Sequence, residues 1–171
     1  MHRAYHNLQH IADCLAELDD VETPAGADAI ELAIWYHDVV YDTHAIDNEV
    51  QSADWADRDL MQFDQSEETR STVRRLILAT QHTETSEEDD EALLISIDLS
   101  TLGKSRERYI DYATAIRREY AWVPEADFAI GRAKVLQSFL DRDTIFPHPQ
   151  FKNRYEAQAR ANLNWELDEL R

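Results

Sequence analysis

The opening segment of the chain carries two histidines, His6 and His10, four residues apart. We expect this segment to be helical, and residues four apart on a helix share one face. Further along, His37 is followed directly by Asp38 within an otherwise apolar run. Imidazole nitrogens beside a carboxylate suit a divalent transition metal better than a packed core.

A further candidate ligand is Asp98, which lies in the apolar segment 94–99. A carboxylate in such surroundings is costly to bury unless something compensates its charge. With His10, His37 and Asp38 it would give two neutral nitrogens and two anionic oxygens. This set can hold one divalent ion with coordination positions left open, which is typical of catalytic sites.

A bound ion could lower the pKa of a coordinated water and polarise a phosphoryl oxygen, as in hydrolysis. His6 is then the candidate general acid for the leaving group. Arg3 is the candidate guanidinium clamp for the substrate phosphate. Asp42 and His44 follow the His-Asp pair closely enough to orient ligands or the attacking water.

Each of these signals also has a simpler interpretation. His6 and His10 alone could be a surface pair on a helix, and a lone His-Asp dipeptide is weak evidence for a metal. His82 fits a cap at the C-terminal end of a helix as well as it fits the site. The combination of both histidine pairs with Asp98 favours a metal site.

Composition predicts an all-α protein that forms a single compact domain over residues 1–171. Only 3 Gly and 4 Pro interrupt segments with apolar residues at three- and four-residue spacing. We expect roughly seven helical stretches, among them about 4–18, 28–41, 47–60, 105–120 and 125–140, with a last helix after the turn at 146–149. Trp35, Trp55, Tyr5 and Phe139 are predicted to face the core, and Gly103 to cap a helix.

Charge and cysteine content exclude several classes of function. The net charge of -18 argues against a nucleic-acid duplex as partner. The one cysteine, Cys14, excludes a disulfide framework and a cysteine-rich zinc site, and it is predicted to be a small core residue. No segment is apolar over the length of a bilayer, so we expect no membrane partner and a cytoplasmic location.

The order His10, His37-Asp38, Asp98 resembles the HD superfamily of metal-dependent phosphohydrolases, whose pattern is a histidine, a His-Asp pair and a distant aspartate. The segment 5–11, Tyr-His-Asn-Leu-Gln-His-Ile, is similar to one in cyclic nucleotide phosphodiesterases. There the first histidine donates a proton and the second binds metal. The resemblance implies an HD-type helical bundle with His6 as donor and His10 as ligand.

The stretch 37–43 is similar to the His-Asp segment of guanosine tetraphosphate hydrolases, which implies that Asp42 lies near the attacking water. Tyr41 stands where those enzymes carry a glutamate. Over most of its length the chain looks most like small uncharacterised bacterial HD proteins described as predicted phosphohydrolases. That resemblance includes Glu49, which joins His44 and His82 as a supporting residue or additional ligand. Such proteins usually have another helix before the Tyr-His-Asn segment, so the resemblance implies that the sequence starts within a truncated domain.

We therefore expect a metal-dependent phosphohydrolase that cleaves a phosphoester or phosphoanhydride, with a small phosphorylated molecule, a nucleotide, as substrate. One divalent ion is expected, and Mn, Fe, Co, Ni, Zn and Mg all fit the mixed ligands. The alternatives are a metal-containing regulatory or binding module without turnover, and a di-iron oxygenase of the HD fold. The exact substrate and the oligomeric state stay open.

Overall fold

Helices make up the regular structure of the computed structural model, which describes residues 3–22, 26–82 and 88–171. Within these ranges the α-helices are α1 (Leu8–Asp19), α2 (Ala27–Tyr36), α3 (Asn48–Gln62), α4 (Glu67–Ala79), α5 (Asp89–Asp98), α6 (Arg106–Glu119), α7 (Glu125–Leu140) and α8 (Pro149–Glu169). A short 3-10 helix, Leu99–Gly103, links α5 to α6. The same ranges contain no strand, so the all-α prediction is confirmed.

The chain divides into two units, which are described separately. Residues 6–98 carry α1 to α5 and form the α1–α5 unit. Residues 1–5 and 99–171 form the α6–α8 unit, which also contains the 3-10 helix. The single domain over residues 1–171 stays a prediction. Among the described residues, no helix has both the length and the apolarity that a membrane crossing requires.

Helix α2 is the central element of the α1–α5 unit, because it packs against α1, α3, α4 and α5. Its residues Ile30, Ala33 and Ile34, at helical spacing, are completely buried. Burial of such aliphatic side chains is the main favourable contribution to packing. The packing fixes the C-terminal end of α2, where His37 follows.

Two helix boundaries differ from the prediction. Helix α1 begins at Leu8 rather than near residue 4, because the extended Asn7 accepts a hydrogen bond from the Gln9 N–H at 2.8 Å and caps the helix. His6 therefore lies in the turn before the helix, and the prediction that it shares a helical face with His10 is wrong.

Helix α2 ends at Tyr36 rather than at residue 41. The following turn is held by the buried Ser52 of α3, whose hydroxyl accepts from the Val40 N–H at 3.1 Å and donates to the Val40 carbonyl at 3.2 Å. Both backbone groups of Val40 are therefore satisfied outside a helix.

The prediction that Trp35 and Trp55 face the core is wrong, since they are 48% and 44% exposed. The Trp55 indole N–H donates to Asp59 at 3.0 Å on the surface of α3. The completely buried positions of α3 are small instead, namely Ser52, Ala53 and Ala56. Tyr5 and Phe139, also predicted to be core, are half-buried.

In the α6–α8 unit, α8 packs against α7 and the 3-10 helix. Gly103 ends the 3-10 helix without a left-handed backbone. An added Cβ at this position would overlap the Tyr155 side chain. Glycine is thus required here by the close approach of α8 rather than by the backbone of a helix cap.

A buried ion pair joins α7 to α8. The Arg132 Nε lies 2.8 Å from Glu166 Oε1, and its Nη2 lies 3.0 Å from Oε2. The two side chains are only 9% and 8% exposed. Tyr109 of α6, which is completely buried, also donates its hydroxyl to Glu166. Removing one partner would leave a buried charge without compensation.

We expect Arg132→Met to lower the free energy of unfolding by about 3–5 kcal/mol, because Glu166 would stay buried without its counter-charge. Urea unfolding followed by circular dichroism measures this change. The matched control is Arg171→Met, which removes an exposed arginine paired with Asp168 and should leave the unfolding midpoint unchanged. Equal midpoints for the two variants would contradict the expectation.

Candidate metal centre

Four predicted ligands converge on one point of the α1–α5 unit. His10 Nε2 lies 3.1 Å from His37 Nε2 and 3.1 Å from Asp98 Oδ1, and His37 Nε2 lies 3.1 Å from Asp38 Oδ2. The remaining nitrogen-to-oxygen distances are 3.6 Å from His10 to Asp38 and 3.5 Å from His37 to Asp98. Residues separated by up to 88 positions thus place their donor atoms in mutual contact.

These separations match those of atoms that share one coordination shell. With bonds of about 2.0–2.2 Å to nitrogen and oxygen, neighbouring ligands lie about 3.0 Å apart at right angles and about 3.4 Å apart in a tetrahedron. His10, His37 and Asp98 form a group that could hold a metal ion. Asp38 adds a fourth donor at compatible distances from both histidines.

Three helices of the same unit position the four side chains. His10 lies on α1, His37 and Asp38 follow the end of α2, and Asp98 is the last residue of α5. Helices α1, α2 and α5 pack against one another. Both imidazoles are buried, with 4% exposure for His10 and 3% for His37. The fold therefore holds these ligands in place and largely away from water.

The His37 ring is oriented by its other nitrogen. Its Nδ1 lies 2.8 Å from the Ile34 carbonyl oxygen, which can only accept, so Nδ1 carries the proton. When the ring is neutral, its Nε2 lone pair faces the cluster. Metal-binding histidines are typically held by such a hydrogen bond from the second ring nitrogen.

A residue that the sequence analysis assigned to the core lies beside His10. The Cys14 sulfur is 3.7 Å from His10 Nδ1 and 3.8 Å from Nε2, and the side chain is buried. Burial and then the charges of Asp98 and Asp38 raise the pKa of the thiol well above its usual value, so it is neutral. Its position one helical turn after His10 was the signal that could have indicated this contact.

His82 contacts the opposite side of Asp98. Its Nε2 donates to Asp98 Oδ2 at 2.9 Å, while Oδ1 of the same carboxylate faces His10 and His37. The backbone of His82 is left-handed, with φ of 55°. Such a conformation costs about 1–3 kcal/mol in a residue other than glycine. The His82 side chain therefore contacts a residue of the cluster, as the site interpretation of His82 predicts.

His6 lies next to the cluster although it precedes α1. Its ring centroid is 6.0 Å from that of His10, and it stacks on Tyr41 with centroids 3.9 Å apart and planes at 21°. Sequence reasoning gave Tyr41 no role beyond its place in a motif. The stack restricts the rotation of the His6 ring.

Asp42 and His44 lie at the surface, each side chain 62% exposed, and contact each other. Asp42 Oδ1 accepts from the His44 N–H at 2.9 Å, and Asn48 exchanges hydrogen bonds with the Asp42 backbone at 2.9 and 3.0 Å. These contacts order the loop before α3. The roles of Asp42 and His44 toward the attacking water or the ligands stay predictions.

Glu49 and Arg3 are the remaining predicted site residues. Glu49 lies half-buried in the first turn of α3. Arg3 belongs to the α6–α8 unit, where it is half-buried. Their predicted roles, as a supporting residue and as a phosphate clamp, are untested by the geometry of the α1–α5 unit.

The two carboxylates are ionised in the cluster. Burial raises the pKa of Asp38, but the charge and hydrogen bond of His37 outweigh it and lower that pKa to about 2. Burial likewise raises the pKa of Asp98, and hydrogen bonds from His10, His37 and His82 then hold it well below its usual value. Two anions in this enclosed space favour a cation between them.

The pKa of His37 shifts in the opposite direction to those of the two carboxylates. Burial lowers its pKa, but the charges and hydrogen bonds of Asp38 and Asp98 exceed that effect and raise the pKa well above its usual value. A proton on His37 therefore supplies positive charge to the metal-free cluster at neutral pH. A metal ion would have to displace this proton.

No family model, curated protein or solved structure matches the chain.

Metal binding should release about one proton per chain at pH 7, because His37 must be neutral to ligate and its pKa is raised in the metal-free protein. Affinity should accordingly increase as the pH rises from 6 toward the raised pKa of His37. Calorimetric titration with Zn²⁺ in two buffers of different ionisation enthalpy measures both quantities. His37→Ala should abolish the signal and His148→Ala should keep it; affinity that falls with rising pH would contradict the expectation.

Proposed function

We propose that the protein is a metal-dependent phosphohydrolase whose centre is formed by His10, His37, Asp38 and Asp98. The main support is that the Nε2 atoms of His10 and His37 lie 3.1 Å apart, and each lies 3.1–3.6 Å from one oxygen of Asp38 and one oxygen of Asp98. A divalent ion bound there supplies an activated water and stabilises charge on the phosphoryl oxygens. The motif order, which resembles that of HD phosphohydrolases, supports the same assignment.

The ligand set leaves room for substrate. The charges of Asp38 and Asp98 together would balance a divalent cation, and the four protein donors would leave the ion accessible to water and substrate. Nitrogen and carboxylate donors together do not select between Mn, Fe, Co, Ni, Zn and Mg.

His6 is the residue that delivers a proton. It lies beside the ligands rather than among them, with its ring 6.0 Å from that of His10. The attacking water, activated by the ion, would release one proton to solvent as its oxygen bonds to phosphorus. The bond from phosphorus to the leaving oxygen breaks, and that oxygen takes a proton from His6. Tyr41 stacks on His6 and keeps the donor ring in one orientation.

The contact between His82 and Asp98 favours a second candidate function, a di-iron oxygenase. Asp98 presents one oxygen to His82 and the other to His10, so it would be the residue shared by two ions if His82 served as an additional ligand. Elemental analysis distinguishes the candidates, since two irons per chain would support the oxygenase and one divalent ion supports the hydrolase. A regulatory module that binds metal without turnover would hydrolyse nothing in any metal.

We expect phosphate release from at least one nucleotide when the protein is screened with each of the six divalent metals. Asp38→Ala should lower that activity by at least about 10²-fold, because the substitution removes a ligand and one charge of the centre. Asp19→Ala is the matched control, since Asp19 is an exposed carboxylate at the end of α1. Activity that persists in Asp38→Ala would place the reaction elsewhere.

The role of His6 predicts a dependence on the leaving group. His6→Ala should slow hydrolysis of an alkyl phosphate ester by about 10²–10⁴-fold, because its leaving oxygen needs a proton. A p-nitrophenyl ester, whose leaving oxygen is stable as an anion, should lose far less. Metal content, measured by elemental analysis, should not change. Equal losses for both esters would argue that His6 is not the acid.

A further inference from the structure

Negative charge is concentrated in the unit that contains the candidate metal centre. Residues 6–98 include 24 aspartates and glutamates but only four arginines and no lysine, a formal net charge of -20. The remaining residues have 11 acidic and 13 basic side chains, a net charge of +2. The strongly acidic balance of the chain therefore belongs to the α1–α5 unit.

All four arginines of this unit are engaged on α3 and α4. Three of them form ion pairs, and the fourth donates to a backbone carbonyl. The contacts are Arg70 to Asp57 at 2.8 Å, Arg75 to Asp90 and Glu91 at 2.6 Å each, Arg74 to Asp54, and Arg58 to the Asp54 carbonyl at 3.1 Å. Each arginine of the unit therefore already has a hydrogen-bond or ion-pair partner within the unit.

The metal ion adds little positive charge of its own to this balance. Its two charges would be matched by the carboxylates of Asp38 and Asp98, which lie beside His37 and His10. Each phosphate beyond the one at the metal would enter a negative field without a compensating cation from the unit. Protein fields of this kind reach several kT, so each extra negative charge on a ligand lowers its local concentration severalfold.

We propose that the substrate of this centre is a phosphate ester of low charge, with one or two negative charges, rather than a nucleoside polyphosphate. This inference rests on the proposed function. It separates two kinds of enzyme that the motifs resemble, since a phosphodiester carries one charge and a polyphosphorylated nucleotide carries several. Charge, rather than base or sugar, is the property that the α1–α5 unit selects.

The test compares kcat/KM for the mono-, di- and triphosphate of one nucleoside, with the metal that gives activity. At about 20 mM salt, each added negative charge should lower kcat/KM by about threefold or more. The differences should shrink at about 200 mM salt, where the screening length falls below about 10 Å.

A triple variant tests the cause. Asp19→Asn/Glu22→Gln/Glu31→Gln removes three exposed negative charges from the unit and should raise relative kcat/KM for the triphosphate. The control Asp19→Glu/Glu22→Asp/Glu31→Asp keeps the charge and should behave as wild type.

The outcomes separate this inference from the proposed function. A higher kcat/KM for the triphosphate than for the monophosphate would overturn the charge selection. So would an order of kcat/KM values that changes neither with salt nor in the triple variant. In both cases the proposed hydrolysis would still stand. No hydrolysis of any phosphomonoester, phosphodiester or phosphoanhydride with any metal would overturn the proposed function and this inference together.

Discussion

Two imidazoles and two carboxylates in mutual contact inside a helical unit need positive charge between them. The donor atoms of His10, His37, Asp38 and Asp98 lie so close together that their lone pairs would repel one another without a proton or a cation among them. A proton on His37 supplies positive charge in the absence of metal. A divalent ion would supply more positive charge and would contact all four side chains. The cluster lies where α1, α2 and α5 pack against one another, since its residues lie on α1, directly after α2 and at the end of α5.

The surroundings of the cluster restrict its ligands from several sides. The Ile34 carbonyl orients His37, His82 holds the outer oxygen of Asp98, and the Cys14 sulfur lies against His10. These partners come from α1, α2 and the end of α4, so the geometry is set before any ion arrives. Such preorganisation is expected where a metal must bind in one geometry and still exchange water.

Residue type and order were enough to predict the all-α class and to single out His10, His37 and Asp98, which form a group that could hold a metal ion. Helix ends were less predictable, since the Asn7 cap and the Ser52 contacts to Val40 depend on side-chain hydrogen bonds that periodicity does not register. The exposure of Trp35 and Trp55 depends on which face α3 and α2 turn to their neighbours. The contact partners Cys14 and Tyr41 needed three-dimensional distances.

Ser52 has a consequence for variation at its position. One hydroxyl satisfies both the N–H and the carbonyl of Val40, in the turn between Asp38 and Tyr41. Alanine would remove the hydroxyl that pairs with the N–H and the carbonyl of Val40. Threonine would add a methyl group at a completely buried position. We therefore expect few residue types to be tolerated at this position, although Ser52 is not one of the candidate ligands.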